Sequence, residues 1–251
     1  MTSNNGHLVF FDLETSGREP GKHHILQFAA IAVDAKTLVS VEQVEYKIAF
    51  HVLDDPWEIE AMRGNVFAHL TGYTGNMVAV EEKLVPDREE FIKCVDVWNK
   101  RSNIKSRAQA QSLIDAFLNR HKSVPMVGKK PPHKKYSVAR LAGHNIAAFD
   151  IPHLRALYGP DRFFPCEYRC LDTYHLACWV MFMEHGMDNI PLNMPALLER
   201  FGIKYDGSAH DALVDVKNNL EVARRLLFKI GSIVARDCIA YMQGIDHGND
   251  T

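Results

Sequence analysis

Residues 8–17 read LVFFDLETSG, and they decide the fold. Apolar, β-favouring side chains begin this stretch and a Ser-Gly pair typical of turns ends it, so it predicts a short buried strand. Asp12 and Glu14 stand two positions apart near the end of that strand. Because side chains alternate between the two faces of a sheet, both carboxylates should project from the same face.

Two further strand candidates follow closely, at residues 25–33 and 41–50, with a polar break between them. Three strands in quick succession indicate an antiparallel meander. The pattern then turns helical over residues 54 to about 118, and residues 138–142 form a fourth strand candidate.

Later helices are expected near Pro152–Tyr158, after Asp172 as an N-cap, and over about residues 212–230. In the last of these, apolar side chains recur every three or four positions, as a helix with one buried face requires. They are Ala212, Val216, Leu220, Ala223, Leu227 and Ile230.

The composition is that of an ordinary globular protein. Of the 251 residues, 47% are hydrophobic and 24% are charged, and the net charge is −2. These values exclude a disordered chain and a purely electrostatic nucleic-acid binder, but not an enzyme with a local basic path. We expect one α/β domain at residues 7–230, with an enlarged middle segment at about 75–137 and a C-terminal extension at 231–251.

The five cysteines are odd in number and form no C-x-x-C pair, so neither a disulfide framework nor a structural zinc site is expected. The chain begins with polar residues, and no apolar run approaches about 18 residues. These features predict a soluble, cytoplasmic protein without a membrane segment.

Residues 119–137 combine basic side chains with three prolines. The paired prolines block both a helix and a central strand, so this stretch predicts an exposed loop. Its lysines either guide a phosphate backbone or simply face solvent; they include Lys129, Lys130, Lys134 and Lys135.

Asp12 and Glu14 form the first of three acidic clusters. Two carboxylates so close together repel each other and favour a bound cation. A ligand set made only of oxygen suits Mg²⁺ or Mn²⁺ better than zinc. A strand end that merely reaches solvent is the alternative.

The second cluster, AGHNIAAFD at residues 142–150, follows a strand and opens a helix. Asp150 therefore lies at or just before the first helical turn, where the helix dipole favours a carboxylate. The same stabilisation would also explain an Asp at residue 150 that has no catalytic role.

The third cluster, HDALVD at residues 210–215, opens the last helix. His210 and Asp215 can converge only if His210 lies on the loop before that helix, because five helical residues would place them on different faces. A flexible Gly207-Ser208 loop would allow this. Otherwise His210 is a surface histidine, and Asp211 is expected to be an N-cap.

Three stretches, in this order, resemble the exonuclease motifs of the DnaQ-like, DEDDh-type 3′–5′ exonucleases. They are FDLETSG at residues 11–17, His144-Asn145 with Phe149-Asp150, and His210-x-Ala212-x-x-Asp215. The resemblance spans most of residues 7–228 and includes the meander. The long segment between Thr74 and Val138 departs from the smaller members of the family.

The resemblance implies an RNase H-like fold, with a mixed central sheet flanked by helices, and two divalent ions, Mg²⁺ or Mn²⁺. Asp12 would bridge both ions, Glu14 and Asp215 would hold one, and Asp150 would help to hold the other. His210 would be the general base, because imidazole titrates near neutral pH. Such a site would release nucleoside 5′-monophosphates from a 3′ end.

The same resemblance suggests that Thr15 and Asn145 touch the terminal nucleotide; a turn hydroxyl and a loop amide are the alternatives. The expected partner is a nucleic acid with a free 3′ end, single-stranded or frayed, and a polymerase or repair protein is a further candidate. DNA is slightly preferred over RNA, although no residue indicates a contact that would sense a 2′-hydroxyl.

Two other functions compete with this interpretation. The FFDLET stretch at residues 10–15 also resembles the opening motif of haloacid-dehalogenase-type phosphatases. Those enzymes use an Asp where this chain has Glu14, and they have no place for His210. The other is an exonuclease-like module that binds nucleic acid or a polymerase without catalysis. It predicts the loss of a metal-binding carboxylate, yet all four are present.

Overall fold

The computed structural model describes residues 6–51, 56–80, 83–129, 132–186, 190–204 and 210–246, with side chains up to residue 235 in the last range. Within these ranges the strands are β1 (His7–Thr15), β2 (Ile25–Asp34), β3 (Ser40–Ile48), β4 (Met77–Val80), β5 (Lys83–Pro86), β6 (Ile104–Lys105), β7 (Val124–Val127), β8 (Lys135–Val138), β9 (Leu141–Gly143) and β10 (Leu171–Asp172). Six of them form a central sheet in the order β10-β9-β1-β2-β3-β6.

The predicted antiparallel meander is confirmed. Strand β1 pairs antiparallel with β2, and β2 pairs antiparallel with β3. On the other side of β1, β9 and β10 add in parallel, and β6 adds in parallel to β3. The sheet is therefore mixed, and the carboxyl ends of β1, β9 and β10 meet at one edge.

Gly143 allows β9 to lie close against β1. A Cβ atom at this position would stand 2.9 Å from the backbone oxygen of Phe11 and 2.2 Å from Cγ2 of Ile146. Either approach is too short for carbon, so any larger residue would push the two strands apart. The end of β9 can reach the end of β1 only because residue 143 has no side chain.

The helices of the described chain are α1 (Ile59–Gly64), α2 (Val66–Thr71), α3 (Arg88–Asn99), α4 (Arg107–Arg120), α5 (Asp150–Tyr158), α6 (Thr173–His185), α7 (Met194–Arg200) and α8 (Ala212–Asp246). They cover both faces of the sheet. Val9 and Phe11 belong to a core shared with α4 and α5, whereas Leu8 and Phe10 belong to a core shared with α8. By alternation, Asp12 and Glu14 project from the α8 side.

Helix α8 is longer than the sequence predicts. Its first half buries the expected Ala212, Val216, Leu220 and Ala223 against the sheet. Leu227 was expected in the same buried face but is 37% exposed, and Val222 and Leu226 are buried instead, against α6 and α7. The buried face changes because the helix leaves the sheet and packs along α6 and α7. The helix ends at Asp246.

A separate aromatic core fills the middle of the chain, beside the end of β3. It is built from fully buried rings of Phe50, Phe67, Phe91 and Trp98. The indole N–H of Trp98 donates to the backbone oxygen of Ile48 at 2.9 Å, which ties α3 to the central sheet. This part of the chain is helical as predicted, except for the β4–β5 ribbon and the short β6.

The expected exposed loop at residues 119–137 is wrong in part. Residues 124–127 and 135–138 form an antiparallel hairpin, β7–β8, which contains Pro125. A proline is tolerated there because β7 has a partner on one side only, so no second strand needs the missing N–H. The predicted strand at 138–142 is likewise divided, since β8 ends at Val138 and β9 begins at Leu141.

The base of this hairpin lies at the amino end of β1. The Ser123 hydroxyl donates to the His7 backbone oxygen at 2.9 Å, and the Ser123 N–H donates to Val138. The basic segment that includes Lys129, Lys134 and Lys135 therefore starts from the end of the sheet opposite Asp12 and Glu14. Lys130 lies outside the described residues.

The four cysteines whose side chains are described, Cys94, Cys166, Cys170 and Cys178, are free thiols. Across the described ranges of the chain, no helix combines the length and the apolar character needed to cross a bilayer.

The aromatic core gives a first testable prediction. Phe91→Ala should lower the free energy of unfolding by about 3–5 kcal/mol, because it empties a large site among packed rings. Ile92→Ala, one residue along the same helix at a 41% exposed position, should change it by no more than about 0.5 kcal/mol. Urea denaturation of both variants measures the difference. Equal effects would mean that the rings are not a packed core.

Candidate active site

The carboxyl end of β1 forms one wall of the site. Asp12 and Glu14 are both partly exposed there, between the buried Phe11, Leu13 and Thr15. They lie on the same face, as strand alternation predicts. Asp12 is paired across the sheet with Ala29, and Glu14 with Gln27, so a small side chain and an amide border the two acids.

Asp150 is the first residue of α5, and its side chain reaches β1 near the carboxyl end of that strand. It is buried, and its Oδ1 accepts a hydrogen bond from the Leu13 backbone N–H at 3.1 Å. This contact places the Asp150 carboxylate directly between the positions of Asp12 and Glu14 along the strand. The prediction that Asp150 opens a helix is confirmed.

The loop that carries Asp150 toward β1 is organised by Asp172. Its carboxylate caps α6 through the Tyr174 N–H at 3.0 Å, as predicted, and also accepts from the N–H groups of Asn145 and Ala147. Asn145 has a left-handed backbone with φ of 59°. Asparagine tolerates that conformation better than most residues, and here it turns the chain out of β9.

His210 and Asp215 come from the start of α8. Asp215 lies in the first turn, and His210 precedes the helix with a left-handed φ of 61°. Ligand atoms of Glu14, His210 and Asp215 all lie within 4.8 Å of one another. The predicted arrangement, with the histidine on the loop side, is therefore observed. The Gly207-Ser208 loop lies outside the described residues.

The acidic groups perturb one another strongly. Removal from water raises the pKa of Asp12 well above its ordinary value, and the charges of Asp150, Glu14 and Asp215 raise it further. Burial also raises the pKa of Glu14, with Asp215 and Asp150 as the leading charges. The pKa of Asp150 rises to about 8, mainly through burial, although the Leu13 N–H opposes the shift.

A cavity of about 560 Å³ opens over this cluster. Its described lining combines polar groups with an apolar wall from α7 and the following turn: Asp12, His144, Met194, Pro195, Leu198, Glu199, Ile203, His210, Asp215 and Asn219. None of these lining residues is a lysine or an arginine. The acids therefore face the cavity without a protein cation among the described groups that line it.

This donor set fits divalent ions. Clustered carboxylates whose charged forms are destabilised by burial and repulsion gain most from a bound cation. Oxygen ligands match Mg²⁺ or Mn²⁺, and the added imidazole of His210 is also compatible with Mn²⁺. Asp12, Glu14, Asp150 and Asp215 are the residues that could hold such ions.

The two residues proposed to contact a nucleotide differ in their surroundings. Thr15 is buried, and its hydroxyl donates to the Gly17 backbone oxygen at 2.7 Å, as a turn hydroxyl does. The Asn145 side chain is exposed beside the site. Their contact with a substrate stays a prediction.

The sequence analysis gave no role to three polar residues near the acids. Asn219 lines the cavity from the turn of α8 after Asp215, a spacing of four that could have revealed it. His144 lines the cavity too, and its Nδ1 lies 3.1 Å from the Thr173 hydroxyl, which donates to Asn219 at 2.7 Å. Gln27 is hidden in the apolar run of β2, where no local pattern singles it out.

Comparisons with known proteins agree with the fold. Residues 9–120 match the RNase T family model, described as Exonuclease. A sequence comparison with curated proteins gave no match.

Among solved structures, E. coli exonuclease I in complex with a dT13 oligonucleotide is 18% identical with a TM-score of 0.55, covering 92% of this chain and 43% of that one. Exonuclease I from Methylocaldum szegediense is 22% identical with a TM-score of 0.55, covering 87% and 40%. An ExoI/SSB-Ct complex is 17% identical with a TM-score of 0.58, covering 92% and 43%.

At these identities the structural matches show a shared fold, and this chain spans less than half the length of the exonuclease I chains. The fold is the RNase H-like one, with the mixed sheet, flanking helices and N-terminal meander described above. Residues 9–120 thus match an exonuclease family model, and the chain has the fold of the exonuclease I structures.

Proposed function

We propose that this protein is a metal-dependent 3′–5′ exonuclease that releases nucleoside 5′-monophosphates from a nucleic-acid 3′ end. The observation that carries the proposal is the clustering of four carboxylates and one histidine beside an open cavity, which Asp12, His210 and Asp215 line. Residues 7–230 would form the catalytic domain, with residues 231–251 as an extension.

Each residue has a distinct role in this proposal. Asp12 would be shared between two divalent ions, Glu14 and Asp215 would bind one of them, and Asp150 would help to bind the other. The ions would stabilise the charge that develops on the attacking and leaving oxygens of the phosphodiester. The four carboxylates supply the negative charge and fixed oxygen positions that hold the ions in place.

His210 would take the proton of the attacking water. Its ring lies beside Glu14 and Asp215, on the open side of the cluster, where water and the terminal phosphate can both reach it. Asn145, exposed at the rim, and Thr15 are proposed to contact the terminal nucleotide. The apolar wall formed by Met194, Leu198 and Ile203 offers a surface on which a base could pack.

We propose single-stranded or frayed DNA as the preferred substrate. Support comes from the similarity to exonuclease I, which binds a dT13 oligonucleotide. The ExoI/SSB-Ct complex likewise supports a protein partner in DNA metabolism. The β7–β8 hairpin and its basic segment lie at the end of the sheet opposite Asp12 and Glu14. The lysines of that segment are therefore not part of the proposed catalytic contacts.

Matched substrates test the proposal directly. Single-stranded DNA, duplex DNA and RNA of one sequence, labelled at the 5′ end, are incubated with Mg²⁺ or Mn²⁺. We expect ladders that shorten from the 3′ end, release of 5′-mononucleotides, and slower reaction when the 3′ end carries a phosphate. Cleavage of closed circular single-stranded DNA, or full activity in excess chelator, would contradict the proposal.

The raised carboxyl pKa values give a prediction for the metal-free protein. A carboxyl group with a higher pKa in the folded state holds its proton longer than in the unfolded chain, so stability falls as pH rises. In chelator, the melting temperature should decrease from about pH 4, the ordinary carboxyl range, to about pH 8, the pKa of Asp150. Mn²⁺ should restore stability at the upper end.

Asp12→Asn isolates the source of this effect. It removes one charge from the cluster and should abolish nuclease activity while leaving the metal-free melting temperature at pH 8 unchanged or higher. Glu89→Gln, an exposed acid in the first turn of α3, is the matched control and should alter neither property. A lower melting temperature for Asp12→Asn would argue against mutual repulsion in the site.

His210→Ala separates the general base from the metal ligands. Turnover should fall by about 10²–10⁴-fold, the usual range for a positioned acid–base group, with little change in substrate affinity. The acidic limb of the turnover–pH profile should disappear. His69→Ala, at an exposed position in α2, is the control. A variant that keeps parental turnover and the same acidic limb would remove His210 from the mechanism.

A further inference from the structure

Gln27 is a fully buried amide on the α8 side of β2. In the pairing of β1 with β2, Gln27 lies opposite Glu14, and Ala29 lies opposite Asp12. Its neighbours on the same face, Ala29 and Ile31, are apolar core residues packed near α8. A polar side chain in such a place needs all its hydrogen bonds, because an unsatisfied buried group costs stability.

The Gln27 side chain satisfies that need by joining three parts of the protein. Its Nε2 donates to Glu45 on β3 at 2.9 Å and to Oδ1 of Asp211 at 3.2 Å. Its Oε1 accepts the backbone N–H of Ala212 at 3.1 Å. Both N–H groups of the amide are used. Glu45 in turn pairs with the buried ammonium group of Lys47.

Two of these three bonds fall on Asp211 and Ala212, the cap and the first residue of α8. Asp211 also caps the helix by accepting the Leu213 N–H at 3.0 Å, so the cap carboxylate is held from the sheet as well as from the helix. His210 directly precedes Asp211 and has a left-handed φ. The position of its side chain therefore depends on the contacts that hold Asp211. The amide thus ties the histidine's backbone to the strand opposite Glu14.

We propose that Gln27 is a positioning residue that sets the start of α8 and, through it, the place of the His210 imidazole beside Glu14 and Asp215. This inference rests on the proposed exonuclease function for its kinetic consequences. The positioning itself is a statement about the folded protein and can be measured without substrate.

The kinetic test uses Gln27→Leu, which keeps the volume and removes all three bonds. We expect kcat to fall about tenfold to a hundredfold, as when a supporting contact of a functional group is lost, with KM changed less than about twofold. Gln27→Asn, which keeps an amide but is one carbon too short, should act similarly and replaces Gln27→Leu if that variant fails to fold.

The control is Asn99→Leu. Asn99 bridges the backbone N–H and oxygen of Phe50 with its own amide and takes no part in the hydrogen bonds of Gln27, so its loss also removes two hydrogen bonds from the fold. We expect a lower melting temperature and an unchanged kcat. A kcat loss equal to that of Gln27→Leu would show that general destabilisation explains both and would overturn the proposal.

A double-variant comparison identifies the residue through which Gln27 acts. In a His210→Ala background, Gln27→Leu should lower kcat by less than about twofold, because the group that it positions is absent. A full tenfold to hundredfold loss in that background would overturn the proposal.

Nuclear magnetic resonance provides the readout that needs no activity. The Cε1–H signal of His210, assigned from its absence in His210→Ala, should shift or split in Gln27→Leu and stay in place in Asn99→Leu. An unmoved signal in Gln27→Leu would overturn the positioning role. If the parent protein degrades no nucleic acid, the proposed function fails, and this signal still decides whether Gln27 positions His210.

Discussion

The close packing of β9 on β1 is the constraint on which the site depends. Two strands that belong to distant parts of the sequence must end side by side, and the space between them admits no side chain at Gly143. Their junction lets the loop after β9 fold over the end of β1, where Asp150 receives the Leu13 N–H. A bulkier residue at 143 would separate the second acidic cluster from the first.

Around that junction, hydrogen bonds fix groups that repel one another. Asp150 is held by a strand N–H, Asp172 holds the preceding loop, and Gln27 holds the cap of α8. Each of these contacts uses a neutral donor, so the carboxylates are oriented without being neutralised. This is preorganisation. The free-energy cost of bringing the like charges together arises when the chain folds, and a bound cation would then relieve the repulsion.

The parts of this arrangement that follow from local pattern could be predicted. Strand alternation places Asp12 and Glu14 on one face, and capping chemistry places Asp172 and Asp211 before helices. Other features could not be predicted because they depend on distant partners. The burial of Val222 and Leu226 depends on where α8 leaves the sheet, and Pro125 is allowed in β7 only because that strand lies in a two-stranded hairpin.

Gln27 shows the limit most clearly. In the sequence it interrupts an apolar strand without any neighbour that explains it, since its partners are 18 and 184 residues away. The left-handed backbone of His210 could not be predicted either, because the position has no glycine that would indicate it. Local chemistry thus pointed to the candidate reacting groups, whereas the residues that position them became visible only in the folded chain.

The high pKa of Asp150 has a consequence for how ions would enter the site. Because its pKa is raised, this carboxyl keeps its proton to a higher pH than an ordinary carboxyl does. A divalent cation that binds there would displace that proton, so binding and proton release would be coupled. The apparent affinity then increases with pH, and the measured heat of binding depends on the buffer that accepts the proton. Calorimetric titrations in two buffers of different ionisation enthalpy would count the protons exchanged, and so report how many of the buried acids change charge when an ion arrives.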